Sequence, residues 1–171
     1  MVRKVLFFGL LLLFTNCYYH LTNSGKKRYN LNLSRMKLTK NDSVFQIIDT
    51  TKIYELKSVY SLTNNDYFSP FRKSYLKFYG ENKVAKFYIF NANDISSIDP
   101  IKAEMGYYNY FKGIFITQIY FENAQGAGYI KDKNKVISID VDLVQFKSKD
   151  YIYQYQIIAL PKKYLIYKPD W

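Results

Sequence analysis

From Val44 onward, Tyr, Phe, Ile and Val recur at short spacing with turn residues between them, a rhythm that predicts β-strands. The clearest alternation puts Ile137, Ile139, Val141 and Leu143 on one face against Ser138, Asp140 and Asp142 on the other. That pattern predicts a strand with one dry side and one wet side. The apolar parity then shifts to Val144 and Phe146, as a bulge would produce. Strands are predicted over 53–62, 72–79, 84–90, 106–111, 114–121, 128–133, 135–146 and 151–158, with a short one over 164–167. The links between them, such as Gly80-Glu81-Asn82-Lys83, Lys112-Gly113, Asn123-Ala124-Gln125-Gly126 and Ser148-Lys149-Asp150, are of hairpin length. Consecutive strands are therefore expected to pair antiparallel. Only the stretch from Asp99 to Met105, with Pro100 placed for a first turn, reads as helical. The expected fold is all-β, an antiparallel meander of eight or nine strands that hides its edges by closing into a small barrel, with a bent open sheet as the alternative.

The N-terminal stretch departs from this pattern. Arg3 and Lys4 precede an unbroken apolar run from Val5 to Phe14, followed by Thr15, Asn16 and Cys17. A run of about ten residues is half the roughly 20 that cross a bilayer as a helix, and it matches the apolar core of a secretory signal. Leu13, Phe14, Thr15, Asn16 and Cys17 resemble the lipobox of a bacterial lipoprotein signal. That resemblance implies cleavage before Cys17, with diacylglycerol on its thiol. It divides the chain into a signal peptide over 1–16, a lipidated N-terminus and tether over 17–43, and a single β domain over 44–171. The tether carries Lys26, Lys27 and Arg28, which could meet anionic headgroups at about 1 kcal/mol per charge. Acidic residues directly after the cysteine are missing, which by the same resemblance favours the periplasmic side of a Gram-negative outer membrane. Over 44–171 the strand rhythm and length resemble a lipocalin-type calycin barrel, without a shared motif, and the whole resembles the small Tyr-rich lipoproteins of Gram-negative bacteria.

Composition narrows the chemistry. The chain has 171 residues and 49% hydrophobic content, enough to fold one domain. Its 25 Lys and Arg against 14 Asp and Glu give a net charge of +11, and loss of Arg3 and Lys4 with the leader leaves 23 − 14 = +9. Only Arg3, Arg28, Arg35 and Arg72 among the basic residues can form the bidentate forks that read phosphates and bases, so no nucleic-acid partner is expected. One Cys and one His exclude an internal disulfide and an ordinary Cys/His zinc site, and His20 in the tether is poorly placed for a catalytic triad. Asp140 and Asp142, two apart on a strand, read as a solvent-facing row rather than a cation pair. Gly126-Ala127-Gly128 reads as a hairpin turn, because Lys131 stands where a dinucleotide loop needs its third glycine. Tyr107, Tyr108 and Tyr110, then Tyr151, Tyr153 and Tyr155, place rings along strands, where they pack well and can also face a ligand.

The expected function is a non-catalytic binding module, anchored to the membrane through Cys17 and holding a small apolar or amphipathic molecule. Ile137, Ile139, Val141, Leu143, Tyr153 and Tyr155 are the expected lining, with no metal and no cofactor. The alternative is a structural or protein-interaction lipoprotein of the envelope with no cavity.

Overall fold

The computed structural model describes residues 19–29 and 42–171. The leader, Cys17 and residues 30–41 lie outside the described residues. Among the described residues eleven strands follow in chain order: β1 (Tyr19–Leu21), β2 (Lys27–Tyr29), β3 (Lys52–Ser61), β4 (Asp66–Phe68), β5 (Tyr75–Phe78), β6 (Lys83–Phe87), β7 (Glu104–Phe111), β8 (Ile114–Asn123), β9 (Gly126–Ile139), β10 (Leu143–Lys147) and β11 (Tyr151–Ala159). β3 and β5 to β11 pair antiparallel in sequence order, and β11 returns to β3, closing an eight-stranded barrel. β4 adds to the end of β3 through Val59, Tyr60 and Ser61, outside the ring of eight. Closure leaves no unpaired edge in the ring, so the all-β barrel expected from the hairpin spacing is the fold.

Two apolar layers hold the barrel. Inward residues line up across the strands: Phe78 opposite Val84, Val84 opposite Gly106, and Gly106 opposite Ile119. With Tyr54, Tyr108, Phe115, Val144 and Phe146 they form the interior core. Phe78 meets Tyr54 and Tyr108 edge-on, each with centroids 5.1 Å apart, a favoured aromatic geometry. Gly106 is obligatory in this row, because a Cβ there would lie 2.2 Å from the Gln118 carbonyl oxygen. The 3₁₀ turn Asp42–Gln46 and the residues after it bring Val44, Ile47 and Ile48 into the same core.

The second layer lies on the outer face of β3, β5, β6 and β7. Ile53, Tyr75, Ala85, Phe87 and Met105 point outward there and are covered by Ile98, Ala103, Leu160 and Tyr164. The covering residues come from two 3₁₀ turns, Ile95–Ile98 and Pro100–Lys102, and from the C-terminal stretch with its turn Lys162–Ile166. Asp94 and Asp99 each cap the turn that follows, accepting from the amides of Ser96 and Ile101. The Tyr164 hydroxyl donates to the Ala92 carbonyl at 2.6 Å, tying the two covering segments together.

Five expectations are corrected. Ile137, Ile139 and Val141 are not interior but 42%, 49% and 79% exposed, and Leu143 is only half-buried. The register slips by one residue beside Ile137, and the chain turns at Asp140-Val141-Asp142, where Asp140 accepts from the Val141 amide. An aspartate that bonds its neighbour's backbone favours a turn over a strand. Asp140 and Asp142 therefore belong to a loop. The stretch from 126 to 139 is one strand rather than two, and 164–167 is a 3₁₀ turn rather than a strand. Finally, residues 19–29, expected in a tether, form the β1–β2 hairpin and pack on the barrel.

Candidate functional site

A cavity of about 240 Å³ lies inside the barrel. Its apolar wall comes from Leu56, Leu76, Phe115, Ile119 and Phe146. Its polar wall is built by strand alternation on β8 and β9: Thr117 stands opposite Asp132, and Phe115 opposite Asn134. Asp132 and Asn134, two residues apart, share the inward face of β9, about 7 Å apart along the strand. Ser74 precedes β5, Lys86 stands on β6, and Tyr153 and Tyr155 come from β11.

The electrostatics of this wall are unbalanced. The Asn134 side-chain oxygen is buried and has no hydrogen-bond partner. Among the described residues, the Asp132 carboxylate makes no ion pair. Although Asp132 is exposed to solvent, desolvation by the surrounding wall raises its pKa, and the charge of Lys86 pulls the other way. The Lys86 ammonium lies 5.2 Å from the centre of the Tyr88 ring. Tyr155 is driven to a higher pKa chiefly by burial, so its hydroxyl stays protonated across physiological pH. The interior thus offers acceptors on one side, a cation on the other, and aromatic faces between them.

Of the residues expected to line a site, Tyr153 and Tyr155 stand on the cavity wall. Ile137 and Ile139 instead border a separate groove with Gln46, Ile47 and Tyr110. Val141 and Leu143 line neither. Asp132, Asn134, Lys86, Thr117 and Ser74 were not singled out from sequence. The expected strands over 128–133 and 135–146 part at Asn134, yet the period of two in Asp132-Lys133-Asn134-Lys135, with Asp and Asn alternating with Lys, is a signal for one continuous strand.

Among the described residues, two buried cations lie outside the cavity. Arg28 on β2 is 3% exposed, its guanidinium 5.6 Å from the Tyr120 ring centre and 5.4 Å from that of Trp171. Its Nε and Nη1 have no hydrogen-bond partner, so the rings are what face its charge. Asp170 stands near enough to favour that charge while its oxygens accept from the Ser24 amide and hydroxyl. Lys77 on β5 points into the outer layer and donates to the carbonyls of Thr50 and Phe78. Burial lowers its pKa to about 8.

Among the described residues, no three His, Cys, Asp or Glu side chains are grouped to hold a metal ion. His20 stacks on Trp171 with ring centroids 5.7 Å apart. In comparisons with known proteins, no family, no curated protein and no solved structure matches this chain.

Proposed function

We propose that this protein is a membrane-anchored envelope lipoprotein whose barrel is a non-catalytic binding module for one small amphipathic molecule. The observation that carries this reading is the 240 Å³ cavity whose wall leaves the buried Asn134 oxygen without a partner. A filled barrel satisfies its inward polar groups internally, whereas a ligand site holds a few of them ready for a guest. The apolar side chains of Leu56, Leu76 and Ile119 would take the greasy part of that guest. The anchor rests on the lipobox-like residues ending at Cys17, and the periplasmic face of a Gram-negative outer membrane is the place it implies.

Mass spectrometry of the protein taken from its own host tests both parts. Mass lost on passing from native to denaturing conditions is the guest, and mass retained on the Cys17 peptide is the acyl anchor. Both are expected. A native mass equal to the denatured one would remove the binding module and leave the second reading, a protein-interaction lipoprotein. That reading draws on the exposed Tyr67, Phe68, Phe71 and Ile89, of which Phe71 is fully exposed.

A further inference from the structure

The cavity's polar groups specify more than the presence of a guest. A fatty acid would set a carboxylate against Lys86 and leave the buried Asn134 oxygen, with the Asp132 carboxylate on the same wall, facing hydrocarbon, which neither acceptor favours. An alkyl amine would satisfy Asp132 and Asn134, but its ammonium would share the space with the Lys86 ammonium. A neutral molecule bearing several hydroxyl groups meets every wall, because each hydroxyl both donates and accepts. It donates to Asp132 and Asn134, accepts from Lys86, and exchanges bonds with Ser74 and Thr117. The C–H face of a ring would then lie against Phe115 or Tyr153, where aromatic carbon is available. Size agrees with this choice. The 240 Å³ is the room of about eight waters at ~30 Å³ each, below the usual range for drug-sized ligands and suited to one substituted six-membered ring.

We infer that the barrel interior is a site for a single sugar ring, a neutral polyhydroxylated ligand held by Asp132 and Asn134 on β9 and by Lys86 across from them. This rests on the reading of the barrel as a binding module and adds the ligand class.

The test titrates the purified full-length protein, followed by amide NMR shifts, with glucose, galactose, mannose and N-acetylglucosamine, and separately with pentylamine and pentanoate. At least one sugar should shift β8, β9 and β11 amides saturably, while the amine and the carboxylate do not. Asp132→Asn, which keeps the side chain's size, should weaken that sugar about tenfold, since a charged acceptor is exchanged for a neutral one. Lys133→Gln, on the opposite face of β9, should leave the affinity unchanged and serves as the folding control. Saturable binding of pentylamine or pentanoate with the sugars silent would overturn the sugar assignment and keep the binding module. Silence from all six probes overturns the assignment too, and coupled with a guest-free native mass it overturns the binding module as well. Sugar binding that Asp132→Asn leaves unchanged places the site elsewhere and likewise overturns the assignment.

Discussion

Lys77 shows how one residue's placement sets a property of the whole chain. The residue is 3% exposed in the outer layer, and two backbone carbonyls with the Tyr79 ring, 4.9 Å from Nζ, do not replace the water its ammonium lost. The pKa falls from 10.5 to about 8, with Asp49 pulling weakly the other way. Below pH 8 both folded and unfolded chains carry the proton, and the full burial penalty stands. Between pH 8 and 10.5 the folded chain gives up the proton while the unfolded chain keeps it. Stability from this group therefore rises with pH over that window, by on the order of 3 kcal/mol if it acted alone. Tyrosines act in the opposite direction. Tyr54, Tyr88 and Tyr108 are each pushed up to about 12, burial being the main cause, so above pH 10 the unfolded chain loses protons first and stability falls. Urea midpoints measured from pH 7 to 11.5 should climb from about pH 8 and drop beyond about 10. In Lys77→Met the climb should vanish while the drop stays. A wild-type midpoint that is flat between pH 8 and 10 would contradict this account.

At the scale of elements, the β1–β2 hairpin depends on partners far away in sequence. Three residues per strand cannot stand alone in water, so its order comes from docking. Arg28 and His20 pack on Trp171, Trp171 packs on Tyr107 of β7 at 4.4 Å, and Ser24 donates twice to Asp170. Trp171→Ala should release the hairpin, with amides of residues 19–29 exchanging hydrogen at least tenfold faster while β5 to β8 stay protected. Equal acceleration in the barrel strands would mean that Trp171 supports the whole fold. This hairpin is also where sequence reasoning failed. Polar residues and Gly25 between 18 and 43 read as a tether, because nothing local shows that Arg28 will meet Tyr120 and Trp171. The barrel strands were legible for the opposite reason: short hairpin links such as Lys112-Gly113 confine each strand to its neighbour, so local pattern and global fold agree. The alternation around Ile139 misled because two aspartates inside it form a turn, and strand propensity yields to turn chemistry there.

On the scale of the whole molecule, the barrel carries a compromise between stability and occupancy. Most of its interior is filled by Phe78, Tyr108, Phe115 and Phe146, as large side chains fill a ring of eight strands. One region is left open and lined with polar groups that a well-packed core would exclude. It is also the region that sequence did not reveal: Asn134 falls between the strands expected over 128–133 and 135–146, so Asp132 and Asn134 do not read as neighbours on one face. Local rules fail most often where a site has been built, and the position that parts those two expected strands, Asn134, is here part of the wall. A direct consequence is that the wall should be improvable as a core and spoiled as a site by the same change. Asn134→Leu keeps the branching of the side chain, puts its extra volume into the adjoining cavity and removes the oxygen that has no partner, so it should raise stability by about 1 kcal/mol. The same substitution should abolish the mass of any guest carried from the host. Chemical denaturation and native mass spectrometry on one preparation read the two effects together. A loss of stability in Asn134→Leu would instead make Asn134 a structural polar group, satisfied by water inside the barrel, and the cavity a hydrated part of the fold.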